Sequence, residues 1–120
     1  MKSPIVYYGG KARLAARISE MLPINKWYVE PFAGSAAVLL AREPSYGEIL
    51  NDLNGDVYNF WKVLRDTPDL LQMVLTHTPY SRSEYFECRR HVERCTDLER
   101  ARRFFVHANM AFNASTVKIG

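Results

Sequence analysis

Apolar residues recur at helical spacing along most of this chain, and two short runs with strand character interrupt this pattern. The two runs, residues 27–30 and 48–51, predict short strands. Residues 11–21 repeat apolar side chains every three or four positions, which predicts a helix that ends before Pro23. The small-residue segment 35–42 lies between the two runs and predicts the helix that joins the strands.

The second half of the chain predicts helices alone. One apolar face follows the i, i+3, i+4, i+7 spacing of a helix and consists of Val57, Phe60, Trp61 and Leu64. A Thr-Pro pair at residues 67–68 predicts the start of the next helix, whose apolar face consists of Leu71, Val74 and Leu75. We expect both faces to be buried in the core.

Two capping boxes mark the starts of the last helices. In each box a hydroxyl residue is followed three positions later by a glutamate, in the pairs Ser81 with Glu84 and Thr96 with Glu99. The first of these helices is expected to continue through residues 88–95. The second is expected to bury a stripe made of Ala101, Phe104, Phe105, Ala108 and Phe112.

This order of elements predicts an α/β fold that is rich in helix and has two short strands. The 120 residues, 48% of them hydrophobic, are enough for one core, so we expect a single domain over 1–120. We divide it into a motif-bearing region, 1–55, and a helical region, 56–120. No apolar run approaches the roughly 20 residues of a membrane span, and no signal-peptide segment follows Met1. We therefore expect a cytoplasmic protein with no membrane contact.

The positive charge of the chain is unevenly distributed. Residues 1–80 carry eight Lys or Arg and eight Asp or Glu, whereas residues 81–120 carry eight against five. The formal charge of +3 therefore comes from the last third, where arginines predict an anionic partner. The alternative is a solvated helix face whose arginines pair with neighbouring glutamates. The charge pattern does not choose between the two.

A glycine-bearing turn and a later acid suggest a binding site for a nucleotide-type cofactor. The turn, residues 30–35, follows the first predicted strand, and Asp52 lies eighteen positions after Gly34, just past the second strand. In a doubly wound α/β sheet such a turn lets the backbone approach the ligand, and an acid about 20 residues later accepts the ribose hydroxyls. Asp52 is our candidate for that acid.

Three segments, in this order, resemble the amino-terminal motifs of Dam-like DNA adenine-N6 methyltransferases. They are Tyr-Tyr-Gly-Gly-Lys at 7–11, Tyr-Val-Glu-Pro-Phe-Ala-Gly-Ser at 28–35 and Ile-Leu-Asn-Asp-Leu-Asn-Gly-Asp at 49–56. Residues 78–82 and 102–105 also resemble the phage and bacterial branch of the family. The resemblance implies an incomplete Rossmann-like methyltransferase fold, of which this chain carries the amino-terminal portion.

The resemblance implies S-adenosylmethionine as cofactor and gives each motif a role. Tyr7 and Lys11 match the first cofactor motif, and Asp52 matches the acid at the ribose. The loop around the methionine end is matched by Glu30, Pro31, Phe32 and Gly34. The alternatives without a cofactor role are that Tyr7 is a strand residue in the core and that Lys11 is a solvated residue at a helix start.

One position in the loop departs from the family pattern. Ala36 stands where the family commonly has a second glycine. Alanine is tolerable there if the residue already lies in the helix, because only a positive φ would demand glycine.

The catalytic motif of the family is absent from these residues. Family members hold the exocyclic amine of adenine with an Asp/Asn-Pro-Pro-Tyr/Phe motif, and no two prolines are adjacent here. We therefore assign no catalytic residue and expect the chain to be inactive alone. Two hypotheses follow. The chain is the cofactor-binding part of a DNA adenine-N6 methyltransferase, or it is a catalytically dead remnant, phage-encoded, that binds and inhibits a host defence protein.

The expected partners follow from the same two hypotheses. The resemblance implies double-stranded DNA once the missing half completes the enzyme, and the candidate contacts are Arg82, Arg89, Arg103 and Asn109. Asn109 could equally be a helix cap. An unpaired sheet edge, which two strands would leave, predicts a protein partner or self-association.

We expect no metal site and no disulfide. Cys88, His91 and Cys95 would share a helix face, but they lack the Cys-x-x-Cys knuckle typical of structural zinc sites. The two cysteines are too far apart on a helix to form a local disulfide, so we expect reduced thiols.

Overall fold

The computed structural model describes residues 1–90 and 92–111, which form a helix-rich α/β arrangement. Two parallel strands and six α-helices follow the predicted order along the chain. Their bounds are α1 (Ala15–Met21), β1 (Trp27–Glu30), α2 (Ala37–Ala41), β2 (Gly47–Leu50), α3 (Gly55–Asp66), α4 (Pro68–Thr76), α5 (Arg82–Glu87) and α6 (Asp97–Met110), with a 3₁₀ turn at Val92–Arg94.

The sheet consists of β1 and β2, which run parallel with Val29 opposite Ile49. Because parallel strands end at the same edge of a sheet, the loop after β1 lies beside the residues that follow β2. Within the described ranges neither strand has a second neighbour. Trp27, Val29 and Ile49 share one face of the sheet and remain largely exposed. This is the open edge and apolar surface that two strands alone were expected to leave.

The hydrophobic core lies between α3, α4 and α6. Its buried side chains include Phe60, Phe104 and Leu71, and the rings of Phe60 and Phe104 lie 5.8 Å apart between centroids. The predicted apolar faces of α3, α4 and α6 are therefore confirmed, except that Phe112 lies outside the described residues. Val106 is also buried, although the predicted stripe omitted it.

The first residues of the chain are held against this core. The side chain of Ile5 is buried in the α3–α6 cluster. Asn109 of α6 accepts a hydrogen bond from the Val6 amide at 3.3 Å and donates one to the Phe105 carbonyl at 3.0 Å. The amino-terminal segment is thus held against α6 by the buried side chain of Ile5 and by the hydrogen bond between Val6 and Asn109.

Three predicted helix boundaries are wrong. The first helix begins at Ala15 and not at residue 11, because residues 11–14 form a turn closed by the Leu14 amide and the Lys11 carbonyl. The second begins at Ala37 because the residues before it turn through positive φ. The stretch 81–95 is not one helix, since α5 ends at Glu87 and a 3₁₀ turn follows.

Both predicted capping boxes form at their hydroxyl ends. The Ser81 hydroxyl accepts from the Glu84 amide at 3.1 Å, and the Thr96 hydroxyl accepts from the Glu99 amide at 3.2 Å. The two glutamate side chains contact Arg102, which joins α5 to α6. Arg102 also donates to Thr78. The prediction of two helix starts is confirmed, and the glutamates also serve a tertiary role.

The cluster around Arg102 shifts the acidity of its carboxylates. Hydrogen bonds from Arg102 and then Arg103 lower the pKa of Glu99 to about 2, and a hydrogen bond from Arg102 lowers the pKa of Glu84. Burial opposes both shifts. Arg103 in turn donates to Glu99 and to the carbonyls of Glu87 and Arg90. Arg102 and Arg103, two of the arginines behind the excess positive charge of the last third, are therefore occupied within the fold.

This network predicts a specific loss of stability in acid. Because the pKa of Glu99 is lower in the folded chain than its ordinary 4.5, its contribution is complete above pH 4.5 and falls away toward pH 2. We expect about 2 kcal/mol, since partial exposure screens the pair. Urea unfolding between pH 7 and pH 3 measures it. Glu99→Gln should have a flatter pH dependence, and an unchanged slope in that variant would contradict the assignment.

Cys88 is buried and Cys95 is half-buried, and the structure does not join them by a disulfide. Burial and a hydrogen bond to Glu84 raise the pKa of Cys88 to about 12, so this thiol stays protonated. The zinc alternative involved His91, which lies outside the described residues. In the part of the chain that the structure describes, no helix combines the length and apolar character needed to cross a bilayer.

Candidate cofactor site

The predicted loop and the predicted acid meet at the carboxyl edge of the sheet. The Gly34 amide donates to Asp52 Oδ2 at 2.9 Å, and the Asn54 amide donates to Asp52 Oδ1 at 2.9 Å. The Ala33 amide also donates to the Asn51 carbonyl at 2.9 Å. The eighteen-residue spacing read from the sequence therefore corresponds to a direct contact between the two motifs.

Gly34 is required by both its conformation and its neighbour. Its φ is +47°, in the left-handed region, and a Cβ at this position would lie 3.0 Å from Cδ1 of Tyr7. The ring of Tyr7 therefore lies directly against the loop. Trp61 of α3 donates its indole N–H to the Gly34 carbonyl at 2.9 Å and fixes the other side of the turn.

Ala36 corrects one expectation from the sequence. It does not lie in the helix but precedes it, with φ 49° and ψ 31°, and its side chain is fully buried. This is the left-handed conformation that glycine tolerates best, and alanine occupies it at a cost of roughly 1–2 kcal/mol. The family's second glycine thus has a conformational reason here, and this chain carries the strain.

Lys11 lies at the entrance of the loop. Its ammonium donates to the Phe32 carbonyl at 3.1 Å and lies 3.4 Å from Oε1 of Glu30. Glu30 is buried, and its Oε2 accepts from the Leu39 amide at 3.3 Å. Oε1 has no hydrogen-bond partner, so the charge of Lys11 is its main compensation. Glu30 therefore holds α2 and Lys11 in place from beneath the loop.

These residues enclose a small cavity of about 220 Å³. Five of the seven predicted cofactor residues line it, while Glu30 and Pro31 do not. The lining consists of Tyr7, Tyr8, Gly9, Gly10, Lys11, Phe32, Ala33, Gly34, Ser35 and Asp52. Residues with a carboxylate, an ammonium group and aromatic rings thus line one space.

A second cavity of about 310 Å³ begins on the other side of Asp52. It lies between the end of β2 and α3 and shares Ala33 and Asp52 with the first. Its walls include Leu50, Tyr58 and Trp61. The acid therefore lines two spaces. One is bounded by the loop, and the other is lined by apolar and aromatic side chains together with the charged Glu48, Lys62 and Arg65.

Comparison with known families supports the resemblance read from the motifs. A family model described as D12 class N6 adenine-specific DNA methyltransferase matches residues 7–117. The chain belongs to this family. Its two-stranded, helix-rich structure is compatible with part of a methyltransferase fold, and methyltransferases of this family use S-adenosylmethionine.

Three curated relatives of this D12-class chain are adenine or type II methyltransferases. Type II methyltransferase M1.LlaDCHI of Lactococcus lactis subsp. cremoris is 26% identical, over 88% of this chain and 39% of the relative. The Retron Ec67 DNA adenine methylase of Escherichia coli is 36% identical, over 52% of this chain and 21% of the relative. The DNA N-6-adenine-methyltransferase of Escherichia phage P1 is 38% identical, over 53% of this chain and 8% of the relative. The D12-class chain therefore spans less than two fifths of the length of these relatives.

None of the four predicted DNA contacts of the D12-class chain lines the cofactor cavity. Arg82 is exposed on α5, and Arg89 follows the end of that helix. Arg103 is occupied by Glu99 and backbone carbonyls, and Asn109 holds the amino-terminal segment. The role of these residues in DNA binding stays a prediction.

Two residues at the D12-class site were missed in the sequence. Trp61 was assigned to the core stripe alone, yet its N–H binds the loop. Asn54 caps α3 by accepting from the Asp56 amide at 2.9 Å, and its side-chain amide lies 3.5 Å from the Tyr7 hydroxyl. A tryptophan within an apolar stripe, whose N–H usually finds a partner, and an Asn-Gly pair before a helix were the available signals.

Proposed function

We propose that this chain is the amino-terminal, S-adenosylmethionine-binding part of a DNA adenine-N6 methyltransferase. The observation that carries the proposal is the hydrogen bond from the Gly34 amide to Asp52, which joins both cofactor motifs at one cavity. Membership of the D12 class supports the reaction, since that class acts on N6 of adenine in DNA.

The donors and acceptors of the first cavity fit the methionine end of the cofactor. An ammonium group has three N–H donors, and Lys11 uses its short contacts on Phe32 and Glu30, which leaves a donor for the cofactor carboxylate. The ring of Tyr7 offers an aromatic surface to the positively charged sulfur of the cofactor. Phe32 is exposed at the cavity and can cover the ligand.

Asp52 fits the ribose. A carboxylate has about four lone-pair sites, and two of them are used by the amides of Gly34 and Asn54. The remaining sites can accept the two ribose hydroxyls. The first cavity alone is smaller than the roughly 300–1,000 Å³ of ordinary ligand pockets. We therefore propose that the ligand extends past Asp52 and that its adenosine part lies in the second cavity, between β2 and α3.

In this proposal the cofactor supplies the methyl group, and the chain binds and orients it. Lys11 holds the polar end, Asp52 sets the position of the ribose, and Trp61 keeps the loop in its bound shape through the Gly34 carbonyl. No side chain of these 120 residues matches the motif that holds the adenine amine. We propose that the chain transfers no methyl group without that motif.

A methyl-transfer assay tests this division of labour. We expect no labelled methyl on adenine of duplex DNA with the 120-residue chain alone. Transfer should appear when a carboxy-terminal half of a D12-class relative supplies the Asp-Pro-Pro-Tyr motif, and it should disappear again with Asp52→Ala. Transfer by the chain alone would contradict the proposal. The inhibitor hypothesis has no supporting observation among these relatives.

A further inference from the structure

An open groove of about 1090 Å³ runs between the amino-terminal segment and α1. Residues 1–10 form one wall, residues 11–16 form the other, and the floor consists of Ser35, Ala37 and Ala41. The function proposed above does not use most of this surface.

The groove adjoins the first cofactor cavity. Both spaces are lined by the same six residues, which are Tyr7, Tyr8, Gly9, Gly10, Lys11 and Ser35. A chain lying in the groove would therefore reach the end of the cavity that we assign to the methionine part of the cofactor. These shared residues place the groove next to the end of the site where we expect the reaction.

The groove carries positive charge, part of which is unpaired. Residues 1–19 contain Lys2, Lys11, Arg13 and Arg17, and the first acidic residue is Glu20. Lys2 and Arg13 line the groove and are exposed, and among the described residues neither side chain forms a hydrogen bond or an ion pair. The charge distribution predicts an anionic partner at the last third of the chain, but there the fold pairs Arg102 and Arg103 internally.

An exposed aromatic ring lies in the same groove. Tyr8 is 68% exposed, although it lies next to the partly buried Tyr7. A groove that combines unpaired cations with an exposed aromatic ring is the usual platform for a nucleic-acid strand, whose phosphates meet the cations and whose bases stack on the ring.

The wall that carries these groups is held in place by the fold. Ile5 is buried in the core, Asn109 accepts from the Val6 amide, and the Gly10 amide donates to the Tyr7 carbonyl at 2.9 Å. The groove is therefore formed before any ligand binds, and little ordering cost opposes binding.

We propose that this groove binds the DNA strand that carries the target adenine. Lys2 and Arg13 contact its phosphates, and Tyr8 stacks on a base that has left the duplex. The inference rests on the proposed function, because the assignment of the strand depends on the cofactor's methyl group lying at the inner end of the groove. It moves the expected DNA contact from the last third of the chain to the first.

Fluorescence anisotropy with a labelled duplex containing one unpaired adenine tests the proposal. We compare Lys2→Ala/Arg13→Ala with Lys26→Ala/Arg94→Ala, which removes the same charge from exposed positions outside the groove. The groove variant should bind roughly tenfold or more weakly near 0.1 M salt, and the slope of log K against log salt should fall by about 2. The control should keep the wild-type slope.

A second comparison isolates the aromatic contact. Tyr8→Ala should lose the preference for the unpaired-base duplex over a fully paired one. Tyr80→Ala, which removes an even more exposed tyrosine outside the groove, should keep it. Equal weakening by both charge variants, an unchanged groove variant, or no DNA binding by the wild type at 50 mM salt would overturn the proposal.

The cofactor affinity of the same variants separates this inference from the proposed function. Equilibrium dialysis with labelled S-adenosylmethionine should give the wild-type affinity for the Lys2→Ala/Arg13→Ala chain, since neither residue lines the cofactor cavity. Selective loss of DNA binding with full cofactor binding supports the groove. Groove-dependent DNA binding by a chain that binds no cofactor would contradict the proposed function and leave a DNA site in the groove.

Discussion

Replacing Asp52 with alanine is expected to weaken S-adenosylmethionine binding by about 100-fold. A charge-assisted hydrogen bond contributes about 1.5–3 kcal/mol, and the carboxylate would make such bonds to the ribose. The substitution also removes the acceptor of the Gly34 amide, so the loop loses part of its bound shape. Equilibrium dialysis with labelled cofactor measures the change.

Two further variants make this result interpretable. Asp69→Ala removes an exposed carboxylate of α4 that lines neither cavity, and its cofactor affinity should match the wild type. Asp52→Asn keeps the size of the side chain but replaces one acceptor by a donor facing the Gly34 or Asn54 amide, so it should also bind weakly. Circular dichroism establishes that each variant is folded. Wild-type affinity in folded Asp52→Ala would remove the acid from the site.

Replacing Arg102 with alanine is expected to cost about 3 kcal/mol of folding free energy and to lower the unfolding midpoint by roughly 10 °C. Its guanidinium, 16% exposed, donates twice to Glu99 at 2.8 Å, and also to Glu84 and Thr78. Removal leaves two partly buried carboxylates without their main partner. Thermal and urea unfolding measure the loss.

The geometry of the guanidinium provides the sharper control. Arg102→Lys keeps the charge but cannot form the paired bonds to Glu99, so its stability should lie between those of the wild type and the alanine variant. Arg17→Ala removes an exposed arginine of α1 and should change the unfolding free energy by less than about 0.5 kcal/mol. Equal stability of the Arg102→Ala and Arg17→Ala chains would show that the cluster contributes little.

Local signals explain why much of the fold could be predicted. The Ser81 and Thr96 boxes predicted helix starts because a cap involves residues only three positions apart. The contact between Gly34 and Asp52 followed from strand order, because parallel neighbours end at the same edge. In each case the relevant partners are fixed by sequence spacing or by the sheet.

Contacts between distant segments could not be predicted in the same way. The sequence left the arginines of the last third open to DNA because the bond from Arg102 to Glu84, eighteen residues away, depends on how α5 packs on α6. The positive φ of Ala36 was missed because its position beside a predicted helix favoured ordinary helical geometry. Asn109 was assigned to DNA or a cap, whereas its partner Val6 lies at the other end of the chain.

Calorimetric titration of the 120-residue chain with S-adenosylmethionine tests directly whether the chain binds this cofactor at Asp52. We expect one saturable site per chain, with heat that is lost when Asp52 is alanine and kept when Asp69 is alanine. A wild-type chain that is folded by circular dichroism and yet gives no binding heat across several temperatures would contradict it, since the contact of Gly34 with Asp52 would then have a structural role alone.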